Sequence, residues 1–349
     1  MRITRRGLAR LGLALGAATL PRAGRAQSDN SAYLDGLYKA AQAAGQRDVA
    51  IYASSSPDNQ PLYDAFSKRF PDIRVKSSDL FGPPLEARLQ AEFASSGPQA
   101  DLLATGEPDL LVFKPHGWLQ PFIPDTAKGI PAELIGPDNL WISYATLPLG
   151  AIVNTALVQP KDYPKTWKDL VSPAWRGKVA LSNPGAINGV SQAFAAARKA
   201  GVIDQAWLEA FAANKPLITP GAVAALQMVA TGQALLSPIV ARTQFLNAKK
   251  QGAPLEWIIP AEGYTALPAP VALLARAPHA EAAKLLMAWM MTPEAQALFA
   301  KTGQPGVMPG APPLDLPAGT STTRFILDWR YLQDNYPGLL QGFKKTFAT

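Results

Sequence analysis

Hydrophobic and polar positions along this chain alternate between a period near two and a period near 3.6, and the alternation runs twice. Val49-Ala-Ile-Tyr-Ala reads as a short apolar strand, followed by the polar run Ser54-Ser55-Ser56-Pro57-Asp58. Leu62, Phe66 and Phe70 then recur at helical spacing until Pro71. Ile73-Arg-Val-Lys predicts an alternating strand, Leu85, Leu89 and Phe93 a helix, and Asp101-Leu-Leu-Ala a strand running into Thr105-Gly106. Strands and helices alternating at this pitch imply a parallel sheet with right-handed crossovers.

The same grammar restarts after Asn154. Thr166 is placed to cap a short helix whose third residue is Asp169, Pro173 ends it, and Val179-Ala-Leu starts a buried strand. A helix is predicted from about Asn188 to Ala200, closed by Gly201, and another begun by Thr219-Pro220 and ended by Gly232. Strands follow at Leu235-Leu-Ser and Leu255-Glu-Trp-Ile-Ile. Tyr264 to Pro270 then crosses into Val271-Ala-Leu-Leu-Ala, and a helix with Leu285, Leu286 and Trp289 stops at Thr292-Pro293, where the next begins. Two similar halves are visible, without a short repeat.

The first 26 residues change how the rest is read. Thr4-Arg5-Arg6-Gly7-Leu8-Ala9-Arg10 forms a basic head, Leu11 to Leu20 an apolar stretch, and Gly24-Arg25-Ala26 a small-residue cleavage site, so Gln27 is the expected mature start. The paired arginines resemble a twin-arginine export signal, with an ordinary secretory signal as the alternative. The apolar stretch is shorter than the roughly 20 residues that span a membrane. Six of the 33 Lys+Arg lie in this segment, which holds no Asp or Glu, leaving 27 against 26 Asp+Glu and a mature net charge of +1. The basic pI of 9.5 therefore belongs to the signal and gives no support to nucleic-acid or anionic-lipid binding. With no cysteine in the chain, neither disulfides nor a lipid-modified N-terminal Cys are expected. The remaining residues, about 320, exceed what one hydrophobic nucleus usually serves, so two lobes are expected.

Several stretches then carry a family resemblance: the Asn154 segment, Pro164-Lys-Thr-Trp through Gly177-Lys-Val, Val229-Ala-Thr-Gly-Gln, Gly252-Ala-Pro, Pro260-Ala-Glu-Gly, and Pro278-His-Ala-Glu-Ala-Ala-Lys followed by Thr292-Pro-Glu-Ala-Gln. Together they resemble the extracellular solute-binding proteins of ATP-driven importers that include ferric-iron, thiamine, polyamine and phosphonate binders. The resemblance implies an α/β, two-lobed fold of the type II periplasmic-binding-protein kind, each lobe a mixed sheet flanked by helices. Two crossover strands join the lobes, near Leu147 to Val153 and Thr265 to Leu274. The implied division is an export signal over 1–26, lobe 1 over 27–148 and 268–318, lobe 2 over 149–267, and a helical tail over 319–349. It further implies a periplasmic, monomeric protein that captures a small-molecule solute and delivers it to the transmembrane subunits of an ABC permease. No cofactor and no nucleic-acid partner are implied.

In such a cleft the chemistry is recognition without bond making. Loops at the C-terminal ends of strands, leading into helix N-termini, present backbone N–H groups to a solute anion or hydroxyl. Ser54, Ser55, Thr105 and Gly106 qualify in the first lobe; Asn183, Asn188, Gly189 and Gly221 qualify in the second. Each also reads as an ordinary helix cap. Arg242, after Pro238-Ile-Val-Ala, is placed to hold a carboxylate or phosphonate, with a solvated helix cation as the alternative. Its replacement by Ala is expected to weaken an anionic ligand while leaving the melting of the ligand-free protein nearly unchanged. Tyr264 opens the return crossover, and Trp141 and Tyr144 serve either as an aromatic wall or as core.

Iron-binding relatives use adjacent tyrosines, an anion-holding Arg and a carboxylate. Val240-Ala241-Arg242 stands here where the tyrosine pair is expected, and Leu147 and Leu149 where the Arg is expected. Only Glu92 remains, and a single Glu on a helix reads as solvated, so no metal ligands are assigned. No catalytic residues are assigned either: His116 and His279 both read as surface residues without a neighbouring nucleophile, and no nucleophile elbow, phosphate-cradling loop or metalloprotease helix occurs. A small polar or anionic organic solute fits best. A sensor subunit with the same fold and a periplasmic hydrolase with two dispersed carboxylates remain as alternatives.

Overall fold

The computed structural model describes residues 23–54 and 59–348. Most of the expected export signal, and Ser55, lie outside these residues. Helix α1 (Ala23–Ala43) leads into β1 (Asp48–Ala53), α2 (Gln60–Arg69), β2 (Arg74–Asp79), α3 (Gly82–Ala94), β3 (Leu102–Ala104), α4 (Glu107–Phe113) and the short β4 (Leu119–Gln120). β1 sits between β2 and β3, parallel to both, with Val49 opposite Val75 and Ala53 opposite Ala104. All three strands therefore end on the same side, as the alternation of strand and helix requires.

Two long strands dominate the middle. β5 (Ile142–Asn154) and, later in the chain, β10 (Tyr264–Leu274) pair antiparallel over most of their length, with Thr265 opposite Leu149 and Val271 opposite Ile142. The C-terminal end of β10 joins β3, antiparallel, and its N-terminal half belongs to the second lobe's sheet. The first lobe's sheet is thus mixed rather than purely parallel. β10 was expected as a crossing followed by a strand; it is one strand, and Pro268 and Pro270 are accommodated by a register shift between Ala269 and Pro270.

The second lobe carries β6 (Ala180–Ser182), α5 (Gly189–Lys199), α6 (Gln205–Ala213), β7 (Leu217–Thr219), α7 (Ala222–Ala230), β8 (Leu236–Ala241), α8 (Arg242–Lys250) and β9 (Leu255–Ile258). β8 and β9 flank β5 antiparallel, and β6 and β7 form a parallel pair with Ser182 opposite Thr219. Thr219 ends a strand instead of capping a helix, and the cap of α7 is Gly221. The expected Thr166 cap is present in reciprocal form. Thr166 Oγ1 accepts from Asp169 N–H, and the Asp169 carboxylate accepts from Thr166 N–H, but the turn that follows is 3-10 and spans Asp169–Val171. After β10 come α9 (Ala280–Met290), α10 (Pro293–Lys301, capped by Thr292), β11 (Arg324–Ile326) and α11 (Trp329–Phe347).

Each sheet is covered on both faces. Adjacent residues of one strand feed different cores: Leu102 packs with Phe66, Leu286 and Trp289, whereas Leu103 packs with Leu85, Leu89 and Trp141. In the second lobe Val153 joins Phe194, Trp207 and Phe211, while Ile152 joins Phe245, Leu226 and Trp257. The period of two that sends successive side chains to opposite faces thus builds two layers per lobe. The molecule is a two-lobed α/β protein, with β5 and β10 passing between the lobes.

Candidate functional site

In the first lobe, β1 and β3 end side by side, and Ser54 N–H donates to Ala104 O at 3.0 Å, so Ser54 and Thr105 stand at one sheet edge. Thr105 is buried, and its hydroxyl donates to Asp109, whose Oδ2 also accepts from Gly82 N at 3.1 Å. This carboxylate ties the β3–α4 loop to the start of α3. Gly106 caps α4 with no side-chain cap; a Cβ placed on it meets Gln192 Nε2 of α5 at 3.9 Å. The two lobes face each other at this point.

In the second lobe, Asn183 follows β6, and its Oδ1 accepts from Gly185 N–H at 2.8 Å. Asn188 is the N-cap of α5: Oδ1 accepts from Val190 and Ser191 N–H at 2.9 and 3.2 Å, and Nδ2 donates to Asn183 O at 2.7 Å. Ser191 completes the capping box. A Cβ placed on Gly189 would meet Leu149 Cδ1 at 3.8 Å. Asn188 is therefore fully engaged within its own loop. Gly221 differs, since α7 begins without a side-chain cap and the space around its Cβ position is open. The first N–H groups of α7 thus receive no side-chain acceptor from their N-cap residue.

Arg242 and Tyr264 form a separate cluster with Trp257. The Arg242 guanidinium lies 4.9 Å from the Trp257 ring centroid and donates to Asp315 O at 2.7 Å, and Trp257 meets buried Tyr264 edge-on at 6.4 Å. Burial lowers the Arg242 pKa, against the pull of Asp315, Tyr264 and Glu256, and burial raises that of Tyr264. Arg242 is also the first residue of α8, whose N-cap, Ala241, supplies no side-chain acceptor. A cation at a helix N-terminus opposes the macrodipole, and an anion between the two relieves the conflict. Arg242 is thus tied to Trp257 and the 315 carbonyl rather than standing as a free helix cation.

Two other sequence readings are overturned. Glu92 is buried and engaged, accepting from Tyr52 OH at 2.7 Å, Arg88 Nε and Gln99 N at 3.0 Å, so it is neither a solvated residue nor an open ligand. His279 is half-buried and lies against Asp101, which is 0% exposed; its N–H and Nδ1 contact the two Asp101 oxygens at 2.6 and 3.2 Å. His116 is exposed as expected, stacked on Trp118. Trp141 and Tyr144 are buried, so the core alternative holds for both.

Gln192, Trp257 and Asp315 were not singled out by any local pattern, since they owe their places to long-range packing. It also missed Glu107, next to Gly106. The residue is 2% exposed, and among the described residues its carboxyl accepts only from Trp141 Nε1 at 3.2 Å and leaves Oε2 without a partner. Burial pushes its pKa up to about 8. Two surface depressions of about 520 and 440 Å³ share Tyr163, Pro164 and Lys165, and neither is lined by any of the ten candidate residues. Among the described residues no group of three or more His, Cys, Asp or Glu is arranged to hold a metal ion, and no helix is long and apolar enough to cross a membrane.

Residues 99–335 match the model of the bacterial extracellular solute-binding protein family. The chain belongs to that family. It is 27% identical over 253 residues to the probable ABC transporter periplasmic-binding protein y4fP of Sinorhizobium fredii, covering 68% of each chain. Among solved structures it is similar to the Trichodesmium protein IdiA/FutA in complex with iron and citrate, with a TM-score of 0.67 at 20% identity, covering 86% of this chain and 99% of that one. It is equally similar to AfuA of Actinobacillus pleuropneumoniae with fructose 6-phosphate bound, with a TM-score of 0.68 at 21% identity, covering 86% and 98%. At these identities the structures bear out the two-lobed fold. For a solute-binding protein of this fold, the strand-end loops of both lobes are where a ligand is sought.

Proposed function

We propose that this solute-binding protein is the periplasmic, monomeric receptor of an ABC importer, which captures a small organic anion between its lobes and passes it to the permease's transmembrane subunits. The observation that carries the anion is the uncapped start of α8 with Arg242 at its first position, supported by the uncapped start of α7 at Gly221. Lobe 1 is assigned to residues 27–148 and 268–318, and lobe 2 to 149–267. Ser54, Thr105 and Gly106 belong to one wall of the cleft; Asn183, Asn188, Gly189, Gly221, Arg242 and Tyr264 belong to the other. Asn183 and Asn188 act by shaping their loop.

An iron cargo fits these residues less well. The carboxylate at Glu92 is already shared among Tyr52, Arg88 and Gln99, and Val240-Ala241-Arg242 supplies no phenolate. Turnover is not part of the reading: His279 is engaged with Asp101, and His116 stacks on Trp118 without a nucleophile at hand.

Thermal melting against carboxylates, phosphonates, fructose 6-phosphate, amino acids, polyamines and ferric citrate tests this. Ligand at 100 times its dissociation constant adds about 2.7 kcal/mol of stability. A rise with organic anions, lost in Arg242→Gln and without consumption of the compound, is the expected result. A rise with ferric citrate alone, or an anion response indifferent to Arg242→Gln, overturns it.

A further inference from the structure

Four large apolar side chains among the described residues are more than half exposed: Phe81 at 53%, Leu157 at 55%, Ile187 at 56% and Val223 at 57%. Three of the four follow the C-terminal ends of parallel strands: Ile187 on the loop that carries Asn183 and Asn188, Val223 in the first turn of α7 just after Gly221, and Phe81 after β2, on a connection that holds none of the candidate polar groups. Phe81 follows β2 and caps α3, and Gly82 N–H next to it shares Asp109 Oδ2 with the Thr105 hydroxyl. Ile187 lies between Asn183 and Asn188. Val223 is the second residue of α7, two positions after Gly221.

None of the three is exposed for want of local order. The loop around Ile187 is locked by Asn188 Nδ2 to Asn183 O at 2.7 Å and by Ser191 Oγ to Ala186 O at 2.7 Å. Phe81 is pinned through Gly82, and Val223 is held in a helix turn. A solitary exposed apolar residue needs no explanation, but three held in place beside the strand-end loops of two lobes that face each other at Gly106 and Gln192 give the rim of those loops an apolar character.

The polar side chains beside this rim are largely engaged. The Thr105 hydroxyl is directed to Asp109, Asn183 Oδ1 to Gly185 N–H, and both ends of the Asn188 amide to its own loop. A solute covered with hydroxyls finds few free partners here, and each buried hydroxyl left unpaired carries a desolvation cost. A hydrocarbon body meets no such cost and covers the rim.

Resting on the anion reading above, we propose that the solute is amphipathic: a carboxylate, phosphate or phosphonate head on an aromatic or aliphatic body, with the body packed on Phe81, Ile187 and Val223. Head and body then contact different residues, and closure over the body removes the three side chains from water.

Calorimetric titration of the purified protein with matched pairs tests the assignment: methylphosphonate against phenylphosphonate, and acetate against hexanoate, with fructose 6-phosphate as the hydroxylated comparison. A buried methylene is worth about fourfold in affinity. Phenylphosphonate or hexanoate is expected to bind at least tenfold tighter than its short counterpart and tighter than fructose 6-phosphate. Phe81→Ser combined with Ile187→Ser is expected to erase that gain while melting like the parent, since both side chains are exposed. Equal affinity within both pairs, tightest binding of fructose 6-phosphate, or a gain that survives the double substitution overturns the amphipathic class and leaves the anion reading standing. Loss of permease-dependent uptake with solute affinity unchanged assigns the rim to the permease and also overturns it. No binding by any member overturns both readings.

Discussion

Glu107 shows how one residue's environment becomes a property of the whole molecule. An ordinary glutamate ionises near 4.5, but burial raises the Glu107 pKa to about 8. Between these values the folded protein holds a proton that the unfolded chain has lost. Its contribution to stability is therefore complete below about pH 4.5, declines as pH rises, and is gone above about 8. At about 1.4 kcal/mol per pH unit, the upper bound of the loss is about 5 kcal/mol. The charged groups that act on Glu107 are Asp328, which opposes its ionisation, and Lys199, which favours it. Those two are paired with each other, so neither compensates the buried carboxylate alone. Glu107→Gln keeps an acceptor for Trp141 and removes the proton. Melting curves from pH 5 to 9 are expected to lose most of their decline in the variant, with a higher melting temperature than the parent at pH 8. An unchanged pH profile means that Glu107 ionises in the open. The sequence hid this residue, along with Glu92 and His279, for one reason. Their partners Trp141, Tyr52 and Asp101 lie 34, 40 and 178 residues away, and side-chain type alone reads as solvent-facing.

At the scale of elements, local chemistry is legible where it is self-contained. The capping box of α5 needs only Asn188 and Ser191, and Thr292-Pro293 announces α10 by a cap and a proline at the first turn. Thr219-Pro220 carries the same signal, yet Thr219 ends β7, because pairing with β6 decides the segment from outside. Pro268 and Pro270 argue against a central strand, and the register shift in β10 is the long-range device that admits them. The site follows the same division. The loops at strand ends were readable from their Ser, Thr, Asn and Gly, whereas the Arg242–Trp257–Asp315 contact required the folded sheet to bring 242, 257 and 315 together. For α5 the consequence is specific. Asn188→Ala removes the cap of two N–H groups and the tie to Asn183, which costs about 1–2 kcal/mol, while Asn188→Ser keeps a hydroxyl acceptor and recovers most of it. Chemical denaturation of the two variants separates them; equal destabilisation means that the amide's bond to Asn183, and not the cap, carries the effect.

At the scale of the molecule, α11 is more than a tail laid over a finished lobe. Asp328 caps it, its N-terminal Trp329 donates to Ile135 O of lobe 1 at 2.9 Å, and Leu332, Tyr336 and Phe343 then enter the core of lobe 2. Phe343 meets Phe194 edge-on at 6.0 Å, and the Tyr336 hydroxyl is 2.7 Å from Ser191 Oγ, beside the α5 cap. The chain's last helix thus joins the two lobes a third time, alongside β5 and β10, and packs against the start of α5 beside its Asn188 cap. Burying three such side chains contributes roughly 1.5–3 kcal/mol each, which approaches the whole stability margin of about 5–15 kcal/mol. Deleting residues 329–349 is therefore expected to abolish cooperative melting and most soluble yield, while deleting Ala348 and Thr349 alone is expected to leave both intact. If the shorter chain melts cooperatively at the parent temperature, lobe 2 closes its core without the helix. The proposed solute site then depends on two interlobe connections rather than three.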